Sequence, residues 1–253
     1  MSPLSGVLLA IALFAILLLL LELGRRTGRR RRAGDPERAG VAVVEGALFT
    51  LFGLLIAFTF SGAASRFDWH RQLLVEEANA IGTAYLRLDL LPAEAQPALR
   101  AKFREYVRAR LDLYEAVPDS ATARRALARA TALHDEIWSL SIAGSRPEPA
   151  TRVVVLPALN AMFDIVTTRA VAAQTHPPGI ILLLLVALAL VSAVLVGEAM
   201  AVSPLRSWTH MGAFALMIAL TVYVIVDLEY PRHGLIGLKQ FDQVLVELLE
   251  KMR

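Results

Sequence analysis

Residues 41–66 read VAVVEGALFTLFGLLIAFTFSGAASR, a run too long and too evenly apolar to form one face of a soluble helix. At about 1.5 Å per residue a helix of this length reaches roughly 39 Å, enough to cross the about 30 Å of a bilayer's hydrocarbon core. The run is not uniform. Gly46, Thr50, Gly53, Ala57 and Ser61 follow at steps of four, three, four and four, which lays small and weakly polar groups along one face. Beside them Phe52, Ile56 and Phe60 recur every four residues as a bulky rib.

Three other blocks share this character, at residues 4–23, 178–197 and 211–226, the last a little short for a span. They account for the 56% hydrophobic content and the mean hydropathy of +0.54 of a 253-residue chain. An excess gathered into four blocks is the pattern of membrane spans and not of one large core. In the first block the earliest basic residue, Arg25, follows the apolar run. A cleaved signal peptide has its cationic region before it, so this block reads as an uncleaved anchor. Cysteine is absent and His numbers 5, which leaves no thiolate site and no basis for a structural metal or other cofactor.

The formal charge of +3 conceals a local asymmetry. Residues 25–38 carry seven arginines, among them Arg25, Arg26, Arg29, Arg30, Arg31 and Arg32, against Asp35 and Glu37. Between two spans such a loop fixes topology, because short basic loops stay cytoplasmic; nucleic acid is not the expected partner. The segment after the second span is then external, periplasmic or extracellular, in a bacterial inner membrane. Anionic lipid headgroups would attract the same arginines.

Beyond the second span polarity rises. Phe67, Leu74, Ile81 and Leu88 repeat every seven residues, which predicts that the same helix continues into water with one buried face and ends by Pro92. Leu99, Phe103, Tyr106, Val107, Leu111 and Tyr114 mark a second helix, stopped at Pro118. Asp119 and Ser120 are cap candidates for a third, which ends near Gly144, and a fourth runs from about Val153 towards Pro177. The expectation is an all-α membrane protein with these boundaries: two spans within 1–64, a soluble helical bundle at 65–177, two spans within 178–228, and a turn with an amphipathic helix at 229–253. That last helix would pack on the bundle or lie on the membrane.

The text LFGLLIAFTFSGAASRFDWHRQLLVEEANAIGTAYLRLDLLP, with DLEYPRHGLIGLKQ at the end of the fourth span, resembles the bacterial membrane family labelled bestrophin-like. That family is a domain of unknown function distantly similar to the bestrophin anion channels. The resemblance implies their order of elements, two spans, a helical soluble region and two more spans. It also implies a second span that lines a pore and presents a neck of stacked Ile and Phe, to which Phe52, Ile56 and Phe60 look similar. In one respect the chain departs. Bestrophins keep the soluble region in the cytosol, whereas the arginines here place it outside.

Four spans are too few to enclose a pore, so conduction of small inorganic ions calls for a homo-oligomer with one helix from each copy on the axis. Gly46, Thr50, Gly53, Ala57 and Ser61 would line it, and Phe52, Ile56 and Phe60 would form a dewetting gate. The plainer alternative is that the small residues let helices pack within a single chain. Candidate charged rings are Glu45, Glu198 and Asp227, with Glu76 and Glu77 just beyond the membrane. For Glu45 and Glu198 the alternative is headgroup exposure or pairing with the arginines, and for Asp227 and Glu229 an interfacial cap pairing with Arg232. For Glu76 and Glu77 it is a solvated helix face. No enzyme signature is present. The function expected is an ion channel or pore; the alternative is a non-conducting scaffold whose bundle binds another envelope protein.

Overall fold

In the computed structural model residues 3–31, 38–116, 120–201, 207–230, 236 and 242–252 are described, and every regular element among them is helical. The order is α1 (Pro3–Arg31), α2 (Arg38–Leu86), a 3₁₀ turn (Arg87–Leu90), α3 (Gln96–Glu115), α4 (Ser120–Gly144), a second 3₁₀ turn (Pro149–Thr151), α5 (Arg152–Gln174), α6 (Gly179–Met200), α7 (Trp208–Glu229) and α8 (Gln243–Lys251). Four of these helices, α1, α2, α6 and α7, contain stretches long and apolar enough to cross a membrane. Two compact units divide the chain: residues 1–67 with 176–236, and residues 68–175 with 237–253.

In the first unit α1 lies against α6 and α7. Leu13, Leu17 and Leu21 form one row of α1, and they meet Leu185, Ala189 and Ala193 of α6 and Ala215, Ala219 and Val222 of α7. The alanines matter because lipid gives no hydrophobic reason for spans to associate; close backbone approach must supply the attraction. Two glycines carry that approach furthest. A Cβ on Gly24 would collide with the Val194 carbonyl oxygen, and one on Gly197 with the Leu21 carbonyl oxygen. One turn on, a Cβ on Gly28 would lie 2.9 Å from the Glu198 carbonyl oxygen. Here Thr27 Oγ1 also donates to Glu198 Oε1 at 3.1 Å.

Helix α1 continues through Arg31, so the basic segment expected as a loop from residue 25 is helical over its first half. Glu22 explains the extension. It accepts from Arg25 Nε at 2.9 Å and from Arg26 Nε at 2.8 Å, pairs of the spacing that stabilises a helix. Arg32 lies outside the described residues. Helix α7 has 22 residues, about 33 Å, so the fourth span is not short.

In the second unit Leu74 and Ile81 of α2 and Leu88 of the 3₁₀ turn that follows it have no exposure, so the seven-residue repeat is buried although α2 itself ends at Leu86. They share a core with Leu99, Phe103, Tyr106 and Val107 of α3, Ile137 of α4 and Leu159 and Met162 of α5. Helix α8 packs on this bundle, with Leu245 buried and Arg104 Nη1 donating to the Met252 carbonyl at 3.4 Å.

Replacing Gly24 or Gly197 by Ala places a methyl group where the facing backbone now sits, and the helices must part. A loss of about 1–3 kcal/mol is expected, as for overpacking in a tight core. Thermal melting of the purified protein in detergent checks this; Gly46→Ala, which meets nothing within 4 Å, is the control and should not lower the midpoint.

Candidate functional site

The face of α2 that carries the small residues is open. Gly46, Thr50, Gly53, Ala57 and Ser61 are all exposed, and a Cβ on Gly46 or Gly53 would meet nothing within 4 Å. Thr50 bonds its own helix, donating to the Gly46 carbonyl at 2.8 Å. Packing within the chain therefore does not explain the stripe. Helix α2 is also the least covered of the candidate spans. Its most apolar window is 11% buried, against 39% for α7.

The rib does not share that open face. At about 100° per residue, Phe52 points roughly 120° away from Gly46, and it packs with 4% exposure against the core of α1, α6 and α7. Ile56 is partly buried beside it, while Phe60, 44% exposed, comes round to the open side. A step of four drifts by about 40° per residue pair, which turns a rib that looks straight in sequence into one that leaves the core as it climbs.

Of the acidic candidates, Glu45 is half-buried and has no ion-pair partner among the described residues, and Glu198 is held by Thr27. Asp227 is 6% exposed, and its Oδ2 accepts from the Ile236 backbone N–H at 2.7 Å, so it ties down the chain that follows α7. Two features escaped the sequence reading. Glu229 pairs with Arg66 of α2, while Arg232, its expected partner, lies outside the described residues. Arg66 Nε donates to both carboxylate oxygens at 3.0 Å, and Nη2 reaches Oε1. To do so its guanidinium folds back over Gly62, where a Cβ would stand 3.3 Å from both Nη atoms. His176 Nδ1 lies 4.0 Å from Glu229 Oε2, and its ring rests on Tyr230 with centroids 4.8 Å apart. The signal was present in the text: an arginine just past one span, four residues after a glycine, and a glutamate at the end of another.

Glu76 and Glu77 part company. Glu76 is exposed, as a solvated face requires, but Glu77 is completely buried, which corrects that reading for it. Arg110 Nε donates to Glu77 Oε1 at 2.6 Å, Tyr114 Oη donates to Oε2 at 2.6 Å, and Arg169 Nη1 contacts Oε2. The cluster joins α2, α3 and α5 through one carboxylate. It resembles a structural lock more than a vestibule, since an inaccessible charge cannot meet ions.

Another polar group, the half-buried His134 of α4, sits between the rings of Tyr106 and Phe163, with centroids 4.9 and 4.1 Å away. Its Nε2 is buried with no hydrogen-bond partner. Burial first, and then the charge of Arg110, push its pKa down from 6.5 to about 4. Burial likewise raises Tyr106 to about 12. No three His, Cys, Asp or Glu side chains converge as a metal site among the described residues.

The bestrophin-like domain family matches the chain over residues 9–240. None of the curated proteins matches it. Among solved structures, the crystal structure of a bacterial bestrophin homolog from Klebsiella pneumoniae, a tryptophan-to-alanine mutant, superposes with a TM-score of 0.66. The match covers 96% of this chain and 97% of that one at 18% identity, a likeness that speaks for the fold alone.

Removing the Glu77 charge leaves the Arg110 guanidinium buried without its carboxylate. Glu77→Ala should cost about 3–5 kcal/mol, whereas Glu76→Ala, at an exposed position, should stay within about 0.5 kcal/mol; chemical denaturation followed by circular dichroism separates them. His134 predicts a pH dependence. The unfolded chain binds this proton near 6.5 and the folded chain only near 4, so acid favours unfolding between those values. Stability should fall there by up to about 1.4 kcal/mol per pH unit and level off below, and His134→Phe should remove that part of the profile.

Proposed function

Because this chain belongs to the bestrophin-like family, we propose that it is a homo-oligomeric ion channel of the bacterial inner membrane whose pore is lined by α2. One observation carries the reading: the span of α2 is apolar enough to cross the bilayer yet leaves its small-residue face without a partner among the described residues. A ring of copies gives that face an axis to line. Gly46, Thr50, Gly53, Ala57 and Ser61 then make a narrow wall with little side-chain bulk, and hydroxyls at two levels can meet a partly hydrated ion.

The gate is assigned to Phe60, with Ile56 next to it. Phe52 faces the chain's own core in the conformation described, so its share in a constriction requires α2 to turn about its axis. Glu45 would form a ring near one mouth and would favour cations there, while the family likeness suggests anions. The soluble bundle lies outside and the segment 25–38 inside, as the arginines direct.

Purified protein reconstituted in liposomes should pass a monovalent cation or a halide and should run as a closed oligomer in mild detergent. Phe60→Ala should raise basal flux several-fold with the fold intact. Phe52→Ala should act on stability instead, costing about 3–5 kcal/mol as a buried Phe truncation does. A monomer that carries no current would support the scaffold reading, and equal leak from both variants would remove Phe60 from the gate.

A further inference from the structure

Between α2, α6 and α7 the first unit holds a groove of about 220 Å³ that helix packing leaves unfilled. Leu55 and Phe58 of α2, Ile181 and Leu182 of α6, and Ile225 of α7 line it, and its one charged end is the Arg66–Glu229 pair. From Leu55 to Arg66 is roughly 16 Å along the helix, close to half of a hydrocarbon core of about 30 Å. The groove thus has the depth of one leaflet. Thr59 makes no demand on it, because its hydroxyl already bonds the Leu55 and Ile56 carbonyls at 2.7 and 3.0 Å.

The charged end is not symmetric. The Glu229 side chain is 2% exposed and lies beneath, while that of Arg66 is 27% exposed and presents the cation outward. Arg66 commits Nε and Nη2 to Glu229, and its Nη1 has no hydrogen bond among the described residues. A fitting ligand therefore carries an apolar tail one leaflet long with an anionic acceptor at its end. A second copy's helix, a rod about 10 Å across, is wide for a cleft between packed helices, whereas a single acyl chain is a much thinner rod.

We propose that this groove binds one acyl chain of an anionic phospholipid, with the headgroup phosphodiester on Arg66 Nη1. Attraction of the phosphate to a guanidinium already flanked by a carboxylate is modest by itself, and the buried tail supplies the rest. The site holds whether or not the protein conducts.

The test is lipid retention by the full-length protein. Protein in mild detergent is equilibrated with equal amounts of dioleoyl phosphatidylglycerol and dioleoyl phosphatidylcholine, washed, and the retained lipid counted by native mass spectrometry. The expected result is about one phosphatidylglycerol per chain, at least tenfold over phosphatidylcholine. Ile181→Trp, which fills the groove away from the ion pair, should lower retention at least fivefold at unchanged particle size. Thr59→Phe repeats the test should that variant not fold. Joint replacement Arg66→Gln with Glu229→Gln, which spares the fold an uncompensated charge, should bring the preference between the two lipids close to one. Four results overturn the proposal: no lipid retained by the wild type, equal retention of both lipids, undiminished retention by the groove-filling variants, or displacement of phosphatidylglycerol by inorganic phosphate. Disulfide formation between copies of a Phe58→Cys variant, with no lipid retained, would assign the groove to a neighbouring subunit and equally overturn it.

Discussion

Two backbones in direct contact set the plan of the membrane unit. Gly24 of α1 and Gly197 of α6 each sit against a carbonyl oxygen of the other helix, a separation that no side chain permits. In lipid, where burying leucine gains little over leaving it in acyl chains, such contact is what distinguishes one helix arrangement from another. Dispersion accumulates along the seam, and α7 adds its own alanine row at Ala215 and Ala219. Helix α2 enters that core chiefly through Phe52 and Ala63 and leaves its small residues outward.

Charge follows a second rule: each deeply buried glutamate has an arginine. Glu77 meets Arg110 and Arg169, and Glu229 meets Arg66. Desolvating such pairs costs several kcal/mol per ion, so they do not stabilise the fold over an apolar core of the same shape. They exclude alternatives instead. A one-residue slip of α2 against α3 would leave Glu77 facing leucine, with its arginines stranded. Glu229, held by a guanidinium that lies back over Gly62, restricts the rotation of α2 against α7 in the same way.

Much of the fold was legible because its signals are local. Apolar run length marked the spans, the seven-residue spacing of Leu74 and Ile81 marked the buried face of α2, and Pro92 and Pro177 marked interruptions between helices. What stayed hidden depends on partners distant in sequence. Glu77 stands three residues after Leu74 and four before Ile81, on the face that the repeat buries, and Glu76 does not, but the arginines that make burial of the Glu77 charge tolerable, Arg110 and Arg169, lie far along the chain. Phe52 and Phe60 likewise share a spacing but not an environment. The Arg66–Glu229 pair joins residues 163 positions apart. The extent of α1 was misjudged for a different reason: a run of arginines reads as solvated loop until Glu22 is seen to anchor its first turn.

The two sets of glycines in the membrane helices make the most informative contrast. Gly24-x-x-x-Gly28 and Gly46 to Gly53 look alike in sequence, small residues at near-helical spacing in or beside an apolar run. Structurally they are opposites, one pressed against a backbone and the other facing open space. A glycine inside a helix costs about 1 kcal/mol relative to alanine, in water at least, and the first pair offsets this through contact that alanine would forbid. For Gly46 and Gly53 no such compensation exists among the described residues. Lipid gains nothing from a missing methyl group, so in the proposed channel the compensation comes from a neighbouring copy drawn close against this face of α2, or from an ion that needs room on the axis.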